Sequence, residues 1–400
     1  MRACPSMESV TVILTFSAPC GLCRLLLMKK LVLTFTACAL AQTSLAAHAE
    51  ASSVTVYGVI DMSMVYISKV GPGNNSRVSL DSGDAMASRI GFRGKEDLGG
   101  GLSAIFQLET GFSADDGAMA TPGSLFDRKS VVGLAGRYGT LTVGRQTDYL
   151  EEIGQQYSSF QIFGGGGVRA GHFNSLDRLT GARTNNSVRF DSAEFGGFSG
   201  SLFYGFGEVA GKTSAGQAFG VGANYRNGNA GIGAAYYQSR LAADAIPASA
   251  GDTDLKTFTL GASYQAGPAK LFAAWSQVRR PTQQALGSTG LVAITSATRA
   301  NVFDVGVNYA LNAKLHLLAS VIHDRADLAR AGAGATRGHT TQLNLGVDYF
   351  LSKRTDVYAM ASRQSASDVI NPGVISAAYS SAPSDDSSQN VLRIGLRHKF

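Results

Sequence analysis

All four cysteines of the 400-residue chain, Cys4, Cys20, Cys23 and Cys38, lie near its start. From residue 50 onward the chain therefore has no disulfide staple, no thiol nucleophile and no cysteine-based metal site. Proline is scarce, 9 against 48 glycines, and no later apolar run is long enough for a spanning helix. An excess of one charge is also missing. Setting aside Arg2, Arg24, Lys29 and Lys30 from 35 basic residues, and Glu8 from 29 acidic ones, leaves 31 against 28, about +3. That balance offers no basic patch for a nucleic-acid partner. A mean hydropathy of +0.04 is compatible with a soluble fold, so composition alone leaves the class open.

What is present begins at Met28-Lys29-Lys30, followed by the apolar stretch Leu31–Leu40 and then by small residues ending in Ala47-His48-Ala49. A charged start, a short apolar core and a small-x-small end have the pattern of a secretory leader. Gln42, Thr43 and Ser44 interrupt the apolar segment and argue against a retained anchor. The expected organisation is an upstream extension over 1–27 ahead of a true start at Met28, a signal peptide over 28–49 cut after Ala49, and a β-barrel over 50–400. The placement of every cysteine before the cut agrees with export.

Beyond the cut one theme recurs: segments of roughly ten residues that alternate apolar and polar side chains. A bilayer cannot hydrogen-bond an exposed backbone, so a spanning sheet must close on itself. Strands tilted by about 45° need about 9–11 residues to cross, apolar toward lipid and polar toward the lumen. In Val54–Ser68, Val54, Val56, Ile60, Met62 and Met64 share one face, and Thr55, Tyr57, Asp61 and Ser63 share the other. In Val391–Phe400, Leu392, Ile394, Leu396 and Phe400 stand opposite Arg393, Arg397 and Lys399. Three cations on one side of a membrane strand are tolerable only if that side is wet.

Between these ends the candidates are Ser88–Glu96, Leu102–Phe112, Phe126–Ala135, Thr140–Thr147, Asn185–Asp191, Ser199–Gly207 and Ala218–Arg226. They continue with Ala230–Ser239, Leu255–Gln265, Ala269–Val278, Ala300–Ala310, Lys314–Asp324, Thr340–Phe350 and Arg354–Ser365. The total is sixteen, an even number as single-chain bacterial barrels require. The predicted fold is all-β, an antiparallel transmembrane barrel. Tight connections such as Lys95–Gly101, Gly136–Gly139, Asn227–Asn229, Gly267–Pro268, Leu311–Ala313 and Leu351–Lys353 suit the periplasmic rim. Long ones, Val70–Ala87, Asp148–Thr184, Leu241–Asp254, Arg279–Thr298, Leu328–His339 and Ala366–Asn390, suit the outer surface. Tyr225, Tyr309, Tyr349, Phe350 and Phe400 mark strand ends, where aromatics form an interfacial girdle.

Several runs resemble the general porins of Gram-negative bacteria, particularly the β-proteobacterial branch. They are Val54-Thr55-Val56-Tyr57-Gly58-Val59-Ile60-Asp61, Ser88-Arg89-Ile90-Gly91-Phe92-Arg93-Gly94-Lys95-Glu96-Asp97-Leu98-Gly99 and Ser130-Val131-Val132-Gly133-Leu134. Gly139-Thr140-Leu141-Thr142-Val143-Gly144-Arg145-Gln146, Asn186-Ser187-Val188-Arg189-Phe190 and the terminal phenylalanine strand complete the set. The resemblance implies an outer-membrane diffusion channel for small hydrophilic solutes, with no cofactor and no catalytic role. It also implies a homotrimer set in outer-membrane lipid and lipopolysaccharide. Its last strand, through Phe400 with His398, Leu396, Ile394 and Leu392, would be read by the barrel-assembly machinery.

Sixteen strands enclose a lumen too wide for side chains to fill, so selectivity needs a constriction. By resemblance Asp148–Thr184 folds inward, with Phe163-Gly164-Gly165-Gly166-Gly167 similar to the family's Phe-Gly-Gly element. Arg89 and Arg128 match the cationic ladder facing that loop, Arg183 matches less closely, and Arg93 shares a face with Arg89. For each arginine the alternative is a plain solvated wall residue. The acidic side departs from the pattern, since Gln161-Ile162 stands where enteric members carry Pro-Glu, and Val59 replaces a lumen lysine of some relatives. Among the loop acids Asp148, Glu151, Glu152 and Asp177, the preferred pair is Glu151 and Glu152. Fewer acids at the narrowest part tilt the expectation toward mild anion preference.

Rival functions find less support. His316 and His323 are seven apart, hence on opposite faces of one strand, and no carboxylate-paired motif recurs near either. The glycine run lacks the Lys-Ser/Thr and the strand-to-helix context of a phosphate cradle. A substrate-specific channel on the same scaffold remains the alternative, marked in some families by eighteen strands and a run of lumen aromatics. A plugged transporter would need a plug domain ahead of the first strand.

Overall fold

The computed structural model describes residues 53–71, 73–168, 170–172, 177–240, 254–279, 294–330, 333–367, 374–376, 380–382 and 386–400. The expected extension and leader over 1–49 lie outside the described residues. The alternating segments become strands β1 (Ser53–Val70), β2 (Asn75–Ser82), β3 (Arg89–Gly99), β4 (Leu102–Gly111), β5 (Lys129–Gly136) and β6 (Gly139–Thr147). They continue as β7 (Arg183–Ser192), β8 (Phe198–Gly205), β9 (Ala218–Asn227), β10 (Ala230–Arg240), β11 (Asp254–Ala266) and β12 (Ala269–Arg279). The long strands β13 (Ile294–Ala310), β14 (Leu315–Arg330) and β15 (Ala333–Phe350) lead to β16 (Thr355–Ser367). A small hairpin of β17 (Val374–Ser376) and β18 (Ser380–Ala382) precedes the closing strand β19 (Ser388–Lys399).

Closure is antiparallel pairing of the last strand with the first, Val59–Ile67 of β1 against Lys399–Val391 of β19. On its other edge β1 meets two strands in line, β3 over Ser53–Val59 and β2 over Met62–Val70. Together β2 and β3 form one stave broken over 83–88, so the 17-stranded sheet is a closed barrel of sixteen staves. Exposure follows the period of two. Met64 and Ile394 are 57% and 55% exposed on the outer face, whereas their inward neighbours Ser63 and Arg393 are at 1% and 0%. A belt of bare Val, Leu, Ile and Phe all round a molecule suits lipid and not water. Tyr309, Tyr349 and Phe400 lie outward at the short-turn rim, and Tyr225 there stacks on Phe198 with ring centroids 4.2 Å apart.

Three expectations need correction. Val70–Ala87 is not a long loop: the chain turns back at 71–74 and runs on as β2 before the break. Leu328–His339 is likewise mostly strand, because β14 and β15 continue far past their alternating segments. Beyond the bilayer a hairpin needs no apolar face, so the pattern that reveals spanning strands disappears. An exposed ion pair, Arg337 Nε to Asp327 Oδ1 at 3.0 Å, occupies that extension. Finally, the cationic face of β19 is not uniformly wet. Arg397 is buried beside Asp356 (2.9 Å) and Asp348 (3.2 Å), and Arg393 is buried beside Asp84 in the stave break, Nε to Oδ1 at 3.3 Å. Counter-charges there take the place of water.

Removing one partner of a buried ion pair leaves the other uncompensated, at a cost of about 3–5 kcal/mol. Arg393→Leu should therefore lower the stability of the refolded barrel by about 3–5 kcal/mol, read as a urea midpoint in detergent micelles. Adding Asp84→Leu to it should recover part of the loss. No loss in the single variant would show that the pair carries no such weight.

Candidate functional site

Between β6 and β7 the chain turns into the lumen as two short helices, α1 (Tyr149–Tyr157) and α2 (Phe160–Val168). Asp148 caps α1 by accepting from Leu150 N at 2.8 Å, and Glu151 and Glu152 occupy its first turn, where acids suit the helix dipole. Its apolar stripe, Tyr149, Leu150, Ile153 and Tyr157, packs on Phe203, Ala218, Ala235 and Tyr237 of the wall. The wall is bare where the helix lies closest: a Cβ on Gly222 would fall 2.0 Å from the Tyr149 ring. Arg178 ties the loop's return to its start, Nε to Asp148 Oδ2 at 2.7 Å, and lies 3.9 Å over the Tyr237 ring.

The tip of the loop seats in the break of the second stave. Gly164 has φ 66°, which kinks α2, and a Cβ there would stand 1.9 Å from the carbonyl oxygen of Ala85. Only glycine fits both conditions. Phe163, 1% exposed, fills the adjacent core with Ala85, Phe272, Leu318, Ile322 and Met360.

A buried polar cluster fixes the elbow between the helices. Asp304 of β13 accepts from Ser159 N at 2.7 Å and from Ser159 Oγ at 2.5 Å. His172 bridges two carboxylates, Nδ1 to Asp177 Oδ2 at 2.6 Å and Nε2 to Asp304 Oδ2 at 3.2 Å. Ser276 of β12 also donates to Asp177, at 2.8 Å. Both ring nitrogens face acceptors, so the imidazolium is the form that satisfies every partner. Burial alone would lower the pKa of His172, but Asp177 and Asp304 outweigh it and push it up to about 10. Serine, histidine and aspartate meet here, yet Ser159 is bonded to Asp304, and all these side chains are closed to solvent. The cluster holds the loop and has no access for a substrate. Among the described residues no group of three His, Cys, Asp or Glu is placed to hold a metal ion.

Between the loop and the wall lies a gap of about 300 Å³. Arg89 of β3, Arg128 just ahead of β5 and Arg183 at the start of β7 line its wall side, and Glu151, Gln155, Phe160 and Gln161 line its loop side. Backbone carbonyls aim two of the guanidinium groups: Arg89 donates to Ala87 O, and Arg183 to Arg128 O and Gly181 O, each at 3.1 Å. A residue missed in the sequence sits among them. Glu109 of β4 meets Arg128 at 2.7 Å and Arg89 at 3.6 Å, and accepts from the Tyr57 hydroxyl at 2.9 Å. It occupies a lumen-facing position of the alternation in Leu102–Phe112, which was the available signal.

The other two residues singled out lie elsewhere. Arg93 lies 5.4 Å from the centroid of the Tyr57 ring and lines a second cavity of about 610 Å³ with Lys95 and Lys129. Glu152 also lines that cavity and pairs with Arg189 of β7, which Asp191 flanks at 2.8 Å. Burial raises the pKa of Glu152, and Arg189 reverses this only in part. Glu151 makes no such pair within 4 Å among the described residues, and it borders both cavities.

Comparison with known proteins bears on this arrangement. A family model described as Gram-negative porin matches residues 35–369. Outer membrane porin protein 32 of Delftia acidovorans is 30% identical over 363 residues, covering 87% of this chain and 94% of that protein. An outer membrane porin of Bordetella pertussis is 28% identical, covering 93% of this chain and 100% of its own length. Among solved structures, an anion-selective porin from Comamonas acidovorans superposes with TM-score 0.68 at 27% identity, covering 88% of this chain and all of that one.

The His172 cluster has a pH signature. A group whose pKa is raised on folding stabilises the folded state below its unfolded value, near 6.5, and that contribution fades as pH climbs through the folded value. The stability advantage of the protein over His172→Gln should be largest below pH about 6.5 and vanish by pH about 10. Thermal unfolding in micelles across that range checks it; a constant difference would contradict the charged bridge.

Proposed function

The chain belongs to the Gram-negative porin family and is an outer-membrane diffusion channel, and we propose that its constriction gives it a mild preference for anions. The observation that carries the proposal is the convergence of Arg89, Arg128 and Arg183 on a gap whose loop side has, among the described residues, a single carboxylate, Glu151. Glu109 sits behind the ladder between Arg89 and Arg128 and offsets part of their charge without cancelling it. Lumen charges within a Debye length of about 8 Å act on a passing ion with little screening, and arginine rings favour anions. The similar porin from Comamonas acidovorans is described as anion-selective, which supports the same sign here. In the neighbouring cavity Arg93, Lys95 and Lys129 stand with Glu151, Glu152 and Asp191, so its lining is of mixed charge.

Finer assignments belong to the same reading. The functional unit is a homotrimer in outer-membrane lipid and lipopolysaccharide, exported with a leader over 28–49 that is removed and preceded by an upstream extension over 1–27. The exposed C-terminal face of Leu392, Ile394, Leu396 and Phe400 engages the barrel-assembly machinery. The protein has no catalytic activity.

Reversal potentials in planar bilayers under a KCl gradient test the selectivity. The wild-type protein should reverse on the chloride side. Arg128→Gln should shift the potential toward potassium and Glu151→Gln further toward chloride. Each shift should correspond to a few-fold change in permeability ratio, since a unit charge acts on an ion about 4 Å away with about 1 kcal/mol in water. Potassium preference in the wild type would sink the proposal.

A further inference from the structure

Besides Glu151, the loop side of the gap carries two amides, Gln155 and Gln161, and cations of the far wall load Gln161 and, next to the gap, Gln156. Gln161 borders the gap, and its Oε1 accepts from Lys270 Nζ of β12 at 2.6 Å. Its Nε2 donates to the backbone oxygens of Gln156 at 3.2 Å and Ser158 at 3.1 Å, which fixes the side chain. Arg226 of β9 repeats the arrangement, Nη2 to Gln156 Oε1 at 2.6 Å. Lys270 and Arg226 stand within electrostatic reach of one another, by the C-terminal end of α1.

An amide oxygen accepts a hydrogen bond from a cation but leaves its charge intact, whereas a carboxylate would neutralise it. Among the described residues neither Lys270 nor Arg226 has a carboxylate within 4 Å, although the lumen arginines Arg189, Arg393 and Arg397 all do. Asp304, a wall acid of β13, is engaged with Ser159 and His172. The negative end of α1 accounts for cations being tolerated here. Holding the loop would need only donors, and neutral side chains supply those. The surviving charge is what reaches the pore.

We propose that Lys270 and Arg226 are selectivity determinants: Lys270 on Gln161 at the edge of the gap, with Arg226 on Gln156 beside it, brings positive charge to the loop side of the constriction. Small anions, doubly charged ones above all, then meet cations on both sides of the gap, and Lys270 and Arg226 oppose the negative charge that Glu151 places on the loop side. This rests on the anion preference proposed above and names further residues that produce it.

The test is reversal potential under a KCl gradient, together with block of chloride current by added sodium sulfate, on refolded channels. Lys270→Gln and Arg226→Gln should each lower the chloride-to-potassium permeability ratio by about twofold and weaken sulfate block, as expected for loss of one unit charge near the path. Lys270→Arg should restore both readouts. Gln161→Glu is a second variant: it can pair with Lys270 and cancel its charge, at the cost of the two donations from Nε2 to Gln156 O and Ser158 O. It should lower selectivity at least as much as Lys270→Gln does, and a purely structural role for Lys270 predicts no change in the readouts of Lys270→Gln. If Lys270→Gln does not fold, Gln161→Glu and Arg226→Gln carry the test. Anion preference in the wild type with no change in Gln161→Glu or Arg226→Gln overturns this inference alone. Potassium preference in the wild type overturns the reading on which it rests.

Discussion

The architecture of the pore depends on one contact, the approach of Gly164 to the carbonyl oxygen of Ala85. It is possible only because the second stave is interrupted over 83–88, leaving a notch in the wall that a continuous strand would fill. The notch is itself held, with Arg393 reaching Asp84 and the Met86 amide donating to Asp61 at 2.5 Å. The same short segment sets the first cation of the ladder. Arg89 begins β3 directly after the break, and Ala87 in the break accepts from its guanidinium. Seat and ladder are thus built from the same six-residue interruption and cannot shift independently.

The loop that fills the notch is held by interactions of different kinds at different points. Aromatic and aliphatic side chains of α1 lie on a glycine-bared wall, removing apolar surface from the lumen water. At the elbow the fixing groups are charges and hydroxyls, Ser159, His172, Asp177 and Asp304, closed off from solvent. Every one of them has its partner, and buried polar networks rigidify only under that condition. A constriction must keep its width while solutes pass, so a rigid loop is the functional requirement these contacts meet.

Electrostatically the lumen cations fall into three groups. Arg189, Arg393 and Arg397 are matched by neighbouring carboxylates and act as braces between staves and loop. Arg183, Lys270 and Arg226 are instead aimed by carbonyl or amide oxygens, which orient a cation and leave its charge. Arg89 and Arg128 fall between, sharing Glu109. The type of acceptor, and not the number of cations, decides which charges a solute feels.

Much of the fold was legible along the chain. The bilayer imposes a strictly local rule, apolar and polar on alternate residues, so the faces of β1 and β19, the sixteen staves and the tight turns at one rim were readable segment by segment. The rule lapses outside the membrane, which is why β2 and the outer lengths of β14 and β15 went unseen. Three of the candidate arginines and Glu151 do meet at one gap; resemblance to the family's ladder and loop singled them out, since Glu151 stands on α1 and Arg128 ahead of β5, where no strand alternation applies. Which charge pairs with which did not follow. Glu109 with Arg128, Glu152 with Arg189 and Gln161 with Lys270 are 19, 37 and 109 residues apart. Their meeting depends on strand register, barrel closure and the path of a loop across the lumen. The sequence determined the sidedness of every spanning strand, because solvent on each face selects residues one at a time. Only the closed tertiary structure decided the electrostatics of the pore, because that is a property of pairs brought together across a water-filled space.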